Sequence, residues 1–284
     1  MARLDPRLTP ARADLAADFL RGQVVAARFV PGTRMRVVEE VIALRSHPVP
    51  DAGLQTQALY GEEVMIYEDH EGWAWGQLLG DKYVGYLPAN ALREPGPDPT
   101  HKICVPRSFA YPDASMKLPI LNALPFGAQV TIIGTRGDFA RTDSHGFIFA
   151  AHLAKLDEFA GDFVAFAEMF LNVPYLWGGK TFLGLDCSGL LQISLASAGK
   201  KMPRDSDMLQ ASAGSPVETG DELAGLRRGD LVFWKGHCGI MRDADTLLHA
   251  NGHHMMVASE PLRLARDRIL AKSFGPVTGV RRIG

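Results

Sequence analysis

The segment Pro174-Tyr175-Leu176-Trp177-Gly178-Gly179, followed by Leu185-Asp186-Cys187-Ser188-Gly189-Leu190-Leu191, constrains this chain more than any other. It sets one cysteine at a glycine-punctuated turn that opens an apolar run. Leu190, Leu191, Ile193 and Leu195 recur near helical period and Gly199 offers a stop, so Cys187 is predicted in the first turn of a helix. Unpaired N–H groups and the positive end of the helix dipole favour an anion there, and a thiol so placed gives up its proton more readily than a free one. A cysteine that merely packs needs neither Asp186 and Ser188 beside it nor the glycines at 178, 179, 184 and 189 that clear backbone around it. Cys187 is therefore the candidate nucleophile.

A thiol nucleophile needs a base, and the base needs a group to orient it. Gly229-Asp230 signals a turn, Leu231–Trp234 reads as a buried strand, Lys235-Gly236 as a tight turn, and His237–Met241 as the returning strand. After a turn at Asp243-Ala244-Asp245, residues 246–250 form a third short strand. This places His249 beside His237 on one face of an antiparallel sheet.

These residues carry a resemblance. Pro-Tyr-Leu-Trp-Gly-Gly, Asp-Cys-Ser-Gly-Leu, Pro203-Arg204-Asp205-Ser206, Arg228–Trp234, His237-Cys238-Gly239-Ile240 and Leu248-His249-Ala250 occur in the order that resembles the NlpC/P60 family of papain-like cysteine peptidases, over residues 158–284. The resemblance implies Cys187 as nucleophile, His237 as general base and acid, and His249 as the polar residue that orients His237. It implies a substrate-side role for Tyr175 near the sulfur, for Asp186 toward an ammonium group, for Ser188 toward carboxylate oxygens, and for Ser206, with Arg204 adding charge. Trp177 is read as packing and the Cys238 thiol as passive. No metal and no cofactor are called for, although Cys187, Cys238, His237 and His249 could in principle hold a zinc ion.

Across the 284 residues, 30 basic against 32 acidic side chains leave a net charge of -2, which argues against general binding to nucleic acid or to a membrane surface. Three cysteines, Cys104, Cys187 and Cys238, are too few and scattered for a disulfide framework, and no Cys-x-x-Cys pair suggests structural zinc. Residues 1–23 intersperse Asp5, Asp14 and Asp18 with arginines and lack the apolar core of a secretory signal, so a cytoplasmic location is expected. Ala11–Leu20 reads as a short amphipathic helix packed on the first domain.

Residues 24–157 hold a weak internal repeat. Gly61, Val64, Ile66, Trp73 and Ala74 match Gly127, Val130, Ile132, Phe139 and Ala140 in pattern, with Leu92 closing the first copy and Leu153 the second. This is the signature of two small β-barrels, and it resembles bacterial SH3-like domains, over residues 24–95 and 100–157, joined by the stiff linker Glu94–Pro99. The expected architecture is thus multidomain: an N-terminal arm at 1–23, two small SH3-like β-barrels, and an α+β papain-like cysteine peptidase domain at 158–284. Within the last, Ala160–Leu171 is read as a helix ended by Pro174, 204–220 as a loop, and Arg263, Arg266 and Arg268 as a solvated face.

The whole arrangement resembles γ-D-glutamyl-L-diamino acid endopeptidases of cell-wall recycling. This implies a small murein peptide as partner, L-Ala-γ-D-Glu-diamino acid with a free amino end, read by Asp51 and Tyr83 of the first barrel together with Asp186. An acyltransferase or amidase on the same core, or a non-catalytic wall-binding protein, are the competing expectations.

Overall fold

The computed structural model describes residues 4–220 and 222–284. The chain divides into one compact unit that ends at Asp157 and a second that begins at Glu158.

In the first unit, a seven-stranded antiparallel sheet runs in the order 54–59, 41–45, 84–88, 73–78, 63–70, 33–37, 92–93. Its core is Val37, Ile42, Leu44, Val64, Ile66, Ala74, Leu78, Leu87 and Leu92 with neighbours, alternate residues of the strands as a half-buried sheet requires. Residues 101–155 form a five-stranded and a three-stranded sheet around Ile103, Ala110, Leu124, Val130 and Ile148.

The repeat in the sequence is a repeat in the structure. Gly61 and Gly127 both sit at positive φ, 81° and 85°, and their N–H groups donate to Val37 and Ile103 carbonyls at 3.0 Å. Leu92 pairs with Val37, and Leu153 with Ile103. Each closing strand follows a single 3-10 turn, Ala89–Ala91 and Ala150–His152. Hydrogen bonds join the two halves: the Glu40 carboxylate accepts from the Ala123 N–H at 2.9 Å, and the Gln129 backbone N–H donates to the Tyr60 carbonyl at 2.9 Å.

A Cβ on Gly61 would run into the Gln129 carbonyl, at a φ that L-residues avoid. Gly61→Ala is therefore expected to lower stability by at least about 1–2 kcal/mol from the left-handed backbone alone. Denaturant melts with an unchanged midpoint would remove that constraint.

The segment expected as a helix at Ala11–Leu20 is not one. Leu15–Ala17 is a strand pairing in parallel with Arg28–Val30, followed by a single 3-10 turn at Asp18–Leu20. All three residues Leu15, Ala16 and Ala17 are buried, against a cluster that includes Tyr67 and Trp75. Consecutive burial of this kind suits an extended segment and not one helical stripe.

The second unit is built on a six-stranded antiparallel sheet in the order 215–216, 277–282, 230–234, 237–241, 246–251, 256–261. Four helices accompany it: α1 (Phe163–Glu168), α2 (Cys187–Ser197), α3 (Ser206–Ser212) and α4 (Leu262–Lys272). The three strands expected around the histidines are present, at Asp230–Trp234, His237–Met241 and Thr246–Asn251.

Helix α1 is shorter than expected. It is capped by Asp162, whose carboxylate accepts from the Val164 and Ala165 N–H groups at 2.8 and 3.1 Å. It ends well before Pro174, because the chain turns through Asn172 at φ 69°. The expected loop at 204–220 contains α3 and a two-residue strand. No helix among the described residues is long and apolar enough to cross a membrane.

Candidate active site

Cys187 is the first residue of α2 and 7% exposed. Asp186 makes the helix start there: its backbone is extended and its Oδ1 accepts from the Gly189 N–H at 2.7 Å, the usual N-cap bond. Gly189 is required because a Cβ there would strike the Gly179 carbonyl. The Cys187 N–H, in the first turn of a helix, has no preceding carbonyl to serve and is available to an oxyanion.

Asp186 is not a free partner for an ammonium group, which corrects the expectation. Arg204, 1% exposed, donates to both of its oxygens at 2.9 and 2.7 Å. Gly178 N–H donates to Oδ2 at 2.8 Å, while Ser188 Oγ lies 3.3 Å from Oδ1. A carboxylate offers about four acceptor sites, and these are taken. Arg204 also donates to Ser188 Oγ at 2.7 Å, so Ser188 is held inside this buried network and does not wait for a substrate carboxylate. Burying the arginine without its carboxylate is costly, so Asp186, Ser188 and Arg204 act as one brace under the nucleophile.

The two histidines meet as the strand pattern required. His237 Nε2 and His249 Nδ1 are 2.8 Å apart, which leaves His237 Nδ1 for the Cys187 sulfur it hydrogen-bonds. Phe274 stacks on the His237 ring, centroids 5.4 Å apart and 9° from parallel, and Trp234 lies 5.5 Å away on a tilted face. Both restrict the imidazole to one orientation.

Beyond His249 the network continues into residues the sequence reading missed. His249 Nε2 lies 2.8 Å from Glu260 Oε1, and Arg268 of α4 donates to both Glu260 oxygens at 2.6 and 2.5 Å. Arg268 was expected on a solvated face with Arg263 and Arg266; it is an ion-pair partner instead. Burial raises the Glu260 pKa, but hydrogen bonds from Arg268 and His249 outweigh it and hold the carboxyl well below its usual range. Burial pushes His249 down to about 4 against the pull of Glu260, so this imidazole is neutral at neutral pH.

The Cys187 thiol is lowered to about 5, chiefly by a hydrogen bond with the Cys238 thiol and then by His237, against the opposing effect of burial. Cys238 is fully buried beside it, and burial with the neighbouring Cys187 pushes its thiol well above the ordinary range. Tyr175 is raised, first by burial and then by the nearby negative charge of Cys187 and Asp186.

Ser206 opens α3 and is half-buried. Trp177, read as packing, is 69% exposed. In the first unit, Asp51 is exposed in the loop before the 54–59 strand, and Tyr83 is 3% exposed, packed in the core of the seven-stranded sheet.

Among the described residues, the potential metal ligands that lie together are His249, His254 and Glu260, not the cysteine and histidine quartet. Glu260 and His249 are already committed to Arg268 and His237.

The signal for Glu260 was faint. It is the one acidic residue of the 256–261 strand, pairing opposite Leu247 and so diagonal to His249.

A deprotonated thiol at a helix N-terminus, a clamped imidazole and a third polar group define a cysteine peptidase site, and comparison with known proteins agrees. Residues 172–270 match the NlpC/P60 family and residues 44–92 the bacterial dipeptidyl-peptidase Sh3 domain. The chain therefore carries a bacterial SH3 domain followed by an NlpC/P60 cysteine peptidase domain. It is homologous to gamma-D-glutamyl-L-lysine dipeptidyl-peptidases. The Bacillus subtilis (strain 168) protein is 28% identical over 229 residues, 70% of this chain and 73% of that one. The Bacillus cereus (strain ATCC 10987) protein is 26% identical over 205 residues, 64% and 60% of the two chains. A crystal structure of an NlpC/P60 family protein from Bacillus cereus ATCC 10987 shares the fold, with a TM-score of 0.72 at 20% identity over 88% of this chain and 99% of that one.

Proposed function

We propose that this protein hydrolyses the γ-D-Glu to diamino acid bond of free murein peptides with an unblocked N-terminal L-Ala, releasing L-Ala-D-Glu, in cytoplasmic cell-wall recycling. The observation that carries the reading is the Cys187, His237 and His249 constellation, in a chain with a segment that matches the bacterial dipeptidyl-peptidase Sh3 domain. In the domain organisation we favour, residues 24–95 and 100–157 are two SH3-like barrels and 158–284 the catalytic domain.

The chemistry is acyl transfer. The Cys187 thiolate attacks the γ-carbonyl carbon, and the oxyanion is met by the Cys187 N–H and the Tyr175 hydroxyl. His237 gives its proton to the leaving amine, then takes one from the water that hydrolyses the thioester. With Asp186 and Ser188 tied to Arg204, the remaining candidates for contact with the substrate are Ser206 and, for the amine, Asp51; Tyr83, packed in the core of the seven-stranded sheet, is not one.

The test is mass spectrometry of products from L-Ala-γ-D-Glu-L-Lys and its diaminopimelate counterpart. Acetylating the amino end is expected to reduce kcat/KM by about 10²-fold or more, because the groups that hold the ammonium then lose its charge and two of its N–H donors. Equal cleavage of blocked peptides, or of intact cross-linked wall, would overturn the requirement for a free amine. Transfer of the acyl group to an added amine without hydrolysis would instead identify an acyltransferase.

A further inference from the structure

We propose that Glu260, pinned by Arg268, is a positioning residue that sets the proton order of both histidines and so makes His237 Nδ1 the proton acceptor facing Cys187. The inference rests on the cysteine peptidase reading of the site and on three consecutive contacts.

A carboxylate held by an arginine through both oxygens can only accept, since the guanidinium only donates. His249 Nε2, 2.8 Å from Glu260 Oε1, must therefore carry a proton. His249 is 0% exposed, and its depressed pKa leaves it a single proton at neutral pH, so its Nδ1 is a bare lone pair. His237 Nε2, 2.8 Å from that lone pair, must then be the donor. A neutral His237 has its only proton there, and Nδ1 faces the sulfur empty, which is the form a general base needs. Once His237 has taken the thiol proton, the same order presents two N–H groups, one to His249 and one to the thiolate.

Without an obligate acceptor at position 260 the opposite order becomes equally good. His249 would donate from Nδ1 to His237 Nε2, forcing the His237 proton onto Nδ1 and confronting the thiol with another donor. The other charged and titratable groups around this line are Cys238 and Tyr175 beside the sulfur, and Asp186 with Arg204 beneath it. His254, its Nδ1 3.9 Å from Glu260 Oε1, and beyond it His253 and Lys272 lie on the Glu260 side. None of these contacts His249 Nε2 in place of Glu260.

The decisive variant is Glu260→Gln, which keeps the volume. Its carbonyl is drawn to Arg268 and its amide then donates toward His249, reversing the order. The expected result is a fall in kcat of about 10²-fold or more, the scale of a wrong-tautomer variant, with KM within about twofold and the melting temperature little changed. The pH profile of Cys187 alkylation by iodoacetamide, resolved from Cys104 and Cys238 by peptide mass spectrometry, should move its acidic limb to higher pH. Nitrogen NMR of histidine-labelled protein should show the single His249 proton passing from Nε2 to Nδ1.

Arg268→Met leaves the carboxylate in place and should lose less than Glu260→Gln. The proposal is overturned if Glu260→Gln keeps wild-type kcat and alkylation, if His249 keeps its proton on Nε2 while activity falls, or if Arg268→Met is the more damaging. Alkylation and NMR need no peptide, so they read the proton order even if the proposed substrate is wrong.

Discussion

Cys187→Ala is expected to abolish peptide hydrolysis, lowering kcat/KM by about 10⁴-fold or more, the scale on which removing a nucleophile acts. The fold should survive. The substitution deletes one sulfur at the first position of α2, where alanine is a good helix former, and leaves the Asp186 cap, the Gly189 N–H bond and the Arg204 brace untouched.

In the wild type, rate and alkylation should rise as pH climbs through about 5. The folded pKa of Cys187 lies below the free thiol's, so the thiolate dominates above that value and is lost below it. Matched circular dichroism melts with steady-state assays on the tripeptide make the measurement. A variant that keeps more than a tenth of wild-type turnover would move the nucleophile to Cys238, the neighbouring thiol.

His249→Ala is the second large effect, an expected loss of about 10²–10⁴-fold in kcat, by analogy with triads whose orienting member is removed. The geometry ranks the replacements. His237 is met by Nδ1, the ring nitrogen nearer the backbone. An asparagine carbonyl can occupy that place, whereas a glutamine amide reaches past it toward Glu260. His249→Asn should therefore retain more activity than His249→Gln, and both more than His249→Ala. Full activity in the alanine variant would show that Phe274 and Trp234 alone orient His237; a glutamine variant better than asparagine would place the important contact at Glu260.

Much of this site was readable in the one-dimensional chain because its parts lie in short, strongly punctuated segments. The helix start at Cys187 follows from Asp186 and Gly189, two local requirements three residues apart. The hairpin that carries His237 and the strand that carries His249 follow from turn residues between apolar runs. The internal repeat was legible for the same reason, since Gly61 and Gly127 mark positions where a positive φ is required.

The misreadings share another cause. Asp186 looked like a substrate ligand because nothing near it in the chain announces that Arg204, 18 residues on, will fill both its oxygens. Leu15–Ala17 looked helical because its partner strand, Arg28–Val30, lies beyond a turn.

The sequence by itself determined that Cys187 opens a helix, that His237 and His249 lie on adjacent strands, and the order of the domains, because local backbone demands and period carry that information. Only the tertiary structure decided where charge is balanced: Glu260 and Arg268 behind His249, Arg204 beneath Asp186, and Cys238 against Cys187. Those pairings depend on which strand lies beside which and on how deeply each group is buried. Burial is what turns an ordinary polar side chain into one whose partner must be supplied.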